Sequence, residues 1–90
     1  MAWIIEYTDA AQKQLKRMDK LVAKRILDYM DDHIAVASDP RSFGKALRGV
    51  FGEFWRYRIG DYRVICDIQD RDIRMIVLQI GNRREVYRRK

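Results

Sequence analysis

Apolar residues recur at Ala11, Leu15, Met18, Val22, Ile26, Met30 and Ile34, in steps of three and four that line one face of a helix. Thr8 stands before this run as an N-cap, and Asp9 places an acid in the first turn, where it suits the helix dipole. Met18-Asp19-Lys20 divides the run into two helices, with Asp19 capping the second. Asp39-Pro40 ends the second helix, because proline disfavours helical geometry in the residue before it. Upstream, Trp3-Ile4-Ile5-Glu6-Tyr7 reads as a short strand of β-branched and aromatic residues.

After a polar connection carrying Gly44 and Gly49, the period changes from about 3.6 to about 2. Trp55, Tyr57 and Ile59 fall on one face of a strand, and Phe54, Arg56 and Arg58 on the other. Gly60-Asp61 suits a two-residue type II′ hairpin turn, with glycine first. The next strand, Tyr62 to Ile68, puts Tyr62, Val64, Cys66 and Ile68 on one face and Arg63, Ile65 and Asp67 on the other. A polar turn at residues 69–72 leads into Ile73 to Ile80, apolar enough for a central strand, which Gly81-Asn82 ends. The predicted order is β-α-α-β-β-β. This is an α+β fold, a mainly antiparallel four-stranded sheet with a helical hairpin on one face, in a single domain over residues 1–90. No repeat, low-complexity segment or linker interrupts it.

That arrangement has a consequence for charge. With the helices on the Trp55/Tyr57/Val64/Cys66 face, Arg56, Arg58 and Arg63 share the opposite face. Arg58 and Arg63 then lie close together across the hairpin. Like charges so placed repel, and burying them without anions is costly, so they are expected to face solvent, an acidic partner or phosphates. The basic tail after Gly81 is expected to bring Arg83 and Tyr87 over the same face.

Composition sharpens this picture. Ninety residues allow one hydrophobic core, and the formal net charge of +6 points to polyanionic partners. Residues 1–52 hold nine Lys+Arg and seven acids, whereas residues 53–90 hold ten and six, so the shorter half carries +4 of the +6. Nine of those ten are arginine, whose planar, always-charged fork matches phosphate oxygens. The single cysteine makes no internal disulfide, which fits a reducing cytoplasm. No basic leader precedes an apolar stretch, and no apolar run approaches the roughly 20 residues of a spanning helix, so neither secretion nor a membrane is expected.

The usual hydrolytic constellations are missing. There is no nucleophile elbow and no metal-ligand spacing, and Lys45 and Arg48 do not complete a phosphate loop between Gly44 and Gly49. His33, beside Met30 and Ile34, and Cys66, in mid-strand, both read as structural residues. Arginines and tyrosines remain. RNA cleavage needs a 2′-hydroxyl deprotonated, an anionic phosphorane stabilised and the leaving 5′-oxygen protonated. Arginines suit the second task, and a tyrosine among cations suits the first. On residue types alone, phosphate binding without chemistry stays open beside this reading.

Leu47-Arg48-Gly49, the block Phe54-Trp55-Arg56-Tyr57-Arg58-Ile59-Gly60-Asp61-Tyr62-Arg63-Val64-Ile65 and the ending Ile80-Gly81-Asn82-Arg83-Arg84-Glu85-Val86-Tyr87-Arg88 together resemble the RelE/ParE superfamily of bacterial toxins. The RelE branch is the nearer, and the strand and helical hairpin agree with its order. The resemblance implies the toxin of a type II toxin–antitoxin system, a ribosome-dependent mRNA endonuclease that cuts the A-site codon. The alternatives are a ParE-like inhibitor of DNA gyrase and an inactive, antitoxin-bound co-repressor. It implies catalytic roles for Arg58, Arg63, Arg83 and Tyr87, with Arg56, Lys45, Arg48, Arg84 and Arg88 as RNA contacts. The family pattern has lysines where Arg56 and Arg58 stand. No cofactor or metal is implied. The implied partners are a RelB-like antitoxin, the ribosome through 16S rRNA and A-site mRNA, and operator DNA only through the antitoxin complex.

Overall fold

Thr8 and Asp19 open the two helices as the sequence predicts. Thr8 Oγ1 accepts from the Ala11 amide at 3.1 Å and begins α1 (Asp9–Arg17), while Asp19 Oδ2 accepts from the Leu21 amide at 3.0 Å and begins α2 (Lys20–Tyr29). The computed structural model describes residues 2–47 and 54–82. Met18, between the helices, is extended and breaks the run. Beyond α2 the chain widens into a π-helical turn at Met30–Ile34, closed by the Ala35 amide donating to the Met30 carbonyl at 2.8 Å. Apolar steps of four drift around a regular helix, and a wider turn takes up that drift. Ile26, Met30 and Ile34 are accordingly all fully buried.

The helical segment therefore ends at Ile34 and not at the proline. Pro40 instead starts a 3-10 turn, Pro40–Ser42, whose first donor is capped by Asp39 Oδ1 accepting from the Arg41 amide at 3.0 Å. A fixed proline φ suits the first position of a helical turn as well as it forbids the interior.

Among the described residues the sheet has five strands, in the order β1-β5-β4-β3-β2. β1 (Ile4–Tyr7) runs parallel to β5 (Arg74–Asn82), and β2 (Lys45–Leu47), β3 (Phe54–Ile59) and β4 (Tyr62–Gln69) complete it antiparallel. The class is α+β as expected, with β2 added at an edge. Three residues are too few to show alternation, so Lys45–Leu47 reads as connection in the sequence. The β3–β4 turn has positive φ at Gly60 and not at Asp61, the pattern of the expected II′ turn. β5 begins at Arg74, one residue later than expected, because Ile73 takes a left-handed conformation after the 3-10 turn Asp70–Asp72.

One face of the sheet packs on the helices. Tyr57, Ile59, Val64, Cys66, Met75, Val77 and Ile80 meet Ala11, Ile26, Met30 and Ile34 there. The other face is not wholly cationic, since Leu47 and Ile65 are buried on it with Phe54 and Leu78 packed against them. β5 carries a bulge: Cys66 pairs with Val77 and Ile65 with Gln79, so Leu78 is the extra residue. The bulge explains how Val77 and Ile80, three apart, both reach the core.

Side chains from α1 and its cap hold that bulge. Gln14 Oε1 accepts from the Ile80 amide at 2.6 Å, and Thr8 Oγ1 donates to the Leu78 carbonyl at 2.9 Å. Gln14→Ala is expected to orphan the Ile80 N–H and cost about 1–3 kcal/mol, read by denaturant or thermal unfolding. A variant as stable as the parent would show that water replaces the glutamine.

Candidate anion-binding site

Antiparallel pairing brings four cations of the sequence reading together. Lys45 stands opposite Arg56, and Arg58 stands opposite Arg63 across the β3–β4 hairpin. Lys45, Arg56, Arg58 and Arg63 line one concavity of about 260 Å³ together with Tyr29 and Gly44. No acidic residue lines it among the described residues. Like charges directly opposite on a sheet are unfavourable by themselves, so the arrangement is suited to an anion between them.

Arg63 departs from expectation. It is 7% exposed, whereas the sequence groups it with Arg56 and Arg58 as open to solvent, an acidic partner or phosphates. Its partners explain this. It sits between Arg58 and Gly81, on a strand paired on both sides, while Arg58 lies beyond the Phe54–Arg56 stretch that β2 covers and is exposed. Arg63 is thus the enclosed floor of the site and Arg58 its rim. Arg48, Arg83, Arg84, Tyr87 and Arg88 lie outside the described residues. β5 carries Gly81 and Asn82 opposite Arg63 and Tyr62, so the described chain ends beside the concavity.

Two further concavities join the first. One, of about 640 Å³, is lined by Arg41, Ala46, Leu47 and Trp55 and shares Gly44, Lys45 and Arg56 with it. The other, of about 530 Å³, lies between α2 and the β3–β4 turn and shares Tyr29 and Arg58. Arg41 is held in place by a two-pronged bond to Asp70, at 2.9 and 3.0 Å, which holds the Asp70 carboxyl below its ordinary range. Trp55 Nε1 donates to the Phe43 carbonyl at 2.6 Å and the Tyr57 hydroxyl donates to the Pro40 carbonyl at 2.8 Å, pinning the segment that leads into β2.

Sequence reasoning missed Tyr29, Gly44 and Arg41 at this site. Tyr29 sits where the α2 pattern turns π-helical, and the four-residue apolar steps were the available sign. His33, expected to be structural, is exposed, with its ring 5.1 Å from that of Tyr29. Cys66 is buried as expected, and burial pushes its thiol up. Burial likewise pushes the Tyr7 and Tyr57 hydroxyls up, which keeps both protonated and so unsuited to act as the base. Among the described residues no group of three His, Cys, Asp or Glu is placed to hold a metal, and no helix is long and apolar enough to cross a membrane.

Comparison with known proteins agrees with this architecture. Toxin RelG of Mycobacterium tuberculosis is 22% identical over 89 residues, spanning 99% of this chain and 100% of that protein. The RelBE2 toxin–antitoxin complex of Mycobacterium tuberculosis contains a chain that superposes with a TM-score of 0.83 at 19% identity, covering 92% of this chain and 93% of that one. For the archaeal RelE–RelB complex of Pyrococcus horikoshii the TM-score is 0.73 at 28% identity, covering 92% and 97%. Residues 5–87 match the family described as ParE toxin of type II toxin–antitoxin system, parDE. The chain therefore belongs to the RelE/ParE superfamily and is a toxin of the type II toxin–antitoxin class.

Proposed function

We propose that this toxin is a ribosome-dependent endoribonuclease that cleaves mRNA in the A site and so halts translation. The observation that carries this reading is the concavity ringed by Lys45, Arg56, Arg58 and Arg63, with no acid in its lining among the described residues. It suits a phosphodiester whose charge rises in the transition state, because fixed cations stabilise charge as it develops. In this mechanism the 2′-oxygen loses its proton and attacks the adjacent phosphorus. The bond to the 5′-oxygen breaks, leaving a 2′,3′-cyclic phosphate, and the 5′-oxygen takes up a proton. Arg63 and Arg58 bear on the phosphorane, a role Arg83 shares, and Tyr87 is the base. Arg56, Lys45, Arg48, Arg84 and Arg88 hold the strand, and the scheme calls on no metal.

The joined concavities support a single-stranded substrate, since cationic grooves with aromatic walls follow a nucleic-acid backbone. A RelB-like antitoxin with an acidic segment is the proposed inhibitor, covering the same cations. RelBE complexes among the structural neighbours support this. Operator DNA is contacted through that complex, and the site of action is the cytoplasm.

Primer extension on a programmed ribosome tests the activity. The expected result is A-site cleavage that weakens steeply as salt rises, because phosphate contacts release counterions. A second reading, inhibition of DNA gyrase, is favoured by the ParE description of the matching family. Intact mRNA together with double-strand DNA breaks in cells would replace the first reading with it.

A further inference from the structure

The cleft between α2 and the β3–β4 turn differs in kind from the concavity it adjoins. Lys24, Arg25 and Arg58 line it, but so do Asp28 and Asp32, along with the Tyr29 and His33 rings and the 78%-exposed Leu21. Two carboxylates disfavour a phosphate there. Aromatic and apolar walls with hydrogen-bonding groups of both signs suit a planar, neutral, polar-edged group instead. At about 530 Å³, the cleft has room for one.

Its position says what that group is attached to. Tyr29 and Arg58 line both the cleft and the cationic concavity, so a phosphate held by Arg56, Arg58 and Arg63 has the cleft next to it. The two carboxylates are not equivalent. Asp28 is engaged by Lys24 at 2.6 Å, whereas Asp32 has no hydrogen-bond or ion-pair partner among the described residues. Asp32 belongs to the π-helical turn that follows Tyr29 and lines the cleft from there. The Arg25 guanidinium reaches toward Gly60 on the other wall, where an added Cβ would lie 3.8 Å from Nη1.

We propose that this cleft is a base-binding subsite that takes a guanine attached to the phosphate in the arginine concavity. It rests on the RNA reading above. A carboxylate has two acceptor oxygens and no donor, and guanine alone among the RNA bases offers two adjacent donors, N1–H and N2–H, on its pairing edge. Asp32 accepts that pair, and the Tyr29–His33 wall covers the ring. Adenine presents an unprotonated N1 to the same carboxylate and is repelled.

Binding of uncleavable 2′-O-methyl oligouridines carrying a single internal guanine or a single internal adenine, followed by fluorescence anisotropy, tests the subsite without depending on cleavage. The full-length toxin is expected to bind the guanine oligonucleotide about tenfold more tightly, the range of one good two-bond base contact. Asp32→Asn replaces one acceptor by a donor and should collapse that ratio to near unity. Asp32 is exposed, so the variant is expected to fold, and circular dichroism checks it. Equal affinities for the two oligonucleotides, or a guanine preference that survives Asp32→Asn, would overturn the subsite and leave the RNA reading standing. Binding of neither oligonucleotide would likewise overturn the subsite, and the RNA reading is then decided by primer extension on the ribosome.

Discussion

Arg63→Met should lower A-site mRNA cleavage by about 100- to 1,000-fold while leaving the fold and the binding of ribosomes largely intact. The size is that of removing one preorganised donor from a site where negative charge develops. Burial is the reason for choosing Arg63 over its neighbours. At 7% exposure its guanidinium acts where water screens least, whereas Arg58, opposite it, is exposed and screened. Arg58→Met should therefore cost less in rate, and relatively more in salt-dependent binding. Methionine retains the apolar stem, and removing one of two facing cations relieves their repulsion, so the melting temperature should hold. Single-turnover cleavage at saturating ribosomes separates the rate from affinity. If rate and affinity fell together, Arg63 would be a docking residue and the enclosed-floor reading would be wrong.

The sequence carried most of the fold because its two periods are each sustained over several turns or residues. The caps Thr8 and Asp19, the inward set from Ala11 to Ile34 and the Tyr57/Ile59/Val64/Cys66 face are all where that periodicity puts them. What escaped it is local. β2 is too short to alternate, and a bulge at Leu78 hides the alternation of β5 inside a continuous apolar run. The candidate site was legible as a set of residue types on one face, and pairing does bring Lys45, Arg56, Arg58 and Arg63 together. The burial of Arg63 was not legible, because it depends on which strands flank β4 and not on the pattern within it. Nor was the α2 cleft, whose walls come from residues more than 20 positions apart in the chain, such as Asp32 and Arg58.

Gly44→Ala is expected to be among the most damaging single-methyl changes the fold can suffer. Gly44 has φ of 72°, and a Cβ there would overlap the Arg56 carbonyl oxygen and stand 2.8 Å from Tyr57 Cδ1. The left-handed conformation alone costs a non-glycine residue roughly 1–2 kcal/mol. The overlap adds to it, because the obstructing atom is backbone of a paired strand and cannot turn aside. β2 must then move off β3, breaking the Lys45–Arg56 register, so a total above about 3 kcal/mol is expected. For a domain of this size that lowers the melting temperature by about 12 °C or more. Gly60→Ala is the control. Its φ of 60° is just as left-handed, but the nearest atom to an added Cβ is Arg25 Nη1 at 3.8 Å, the end of a flexible side chain. It should cost only the conformational part. If the two variants melt together, the close approach of Gly44 to β3 contributes nothing, and β2 is not held against β3 at Arg56. If Gly44→Ala alone collapses, the glycine that ends the connection is what brings Lys45 into the cationic ring.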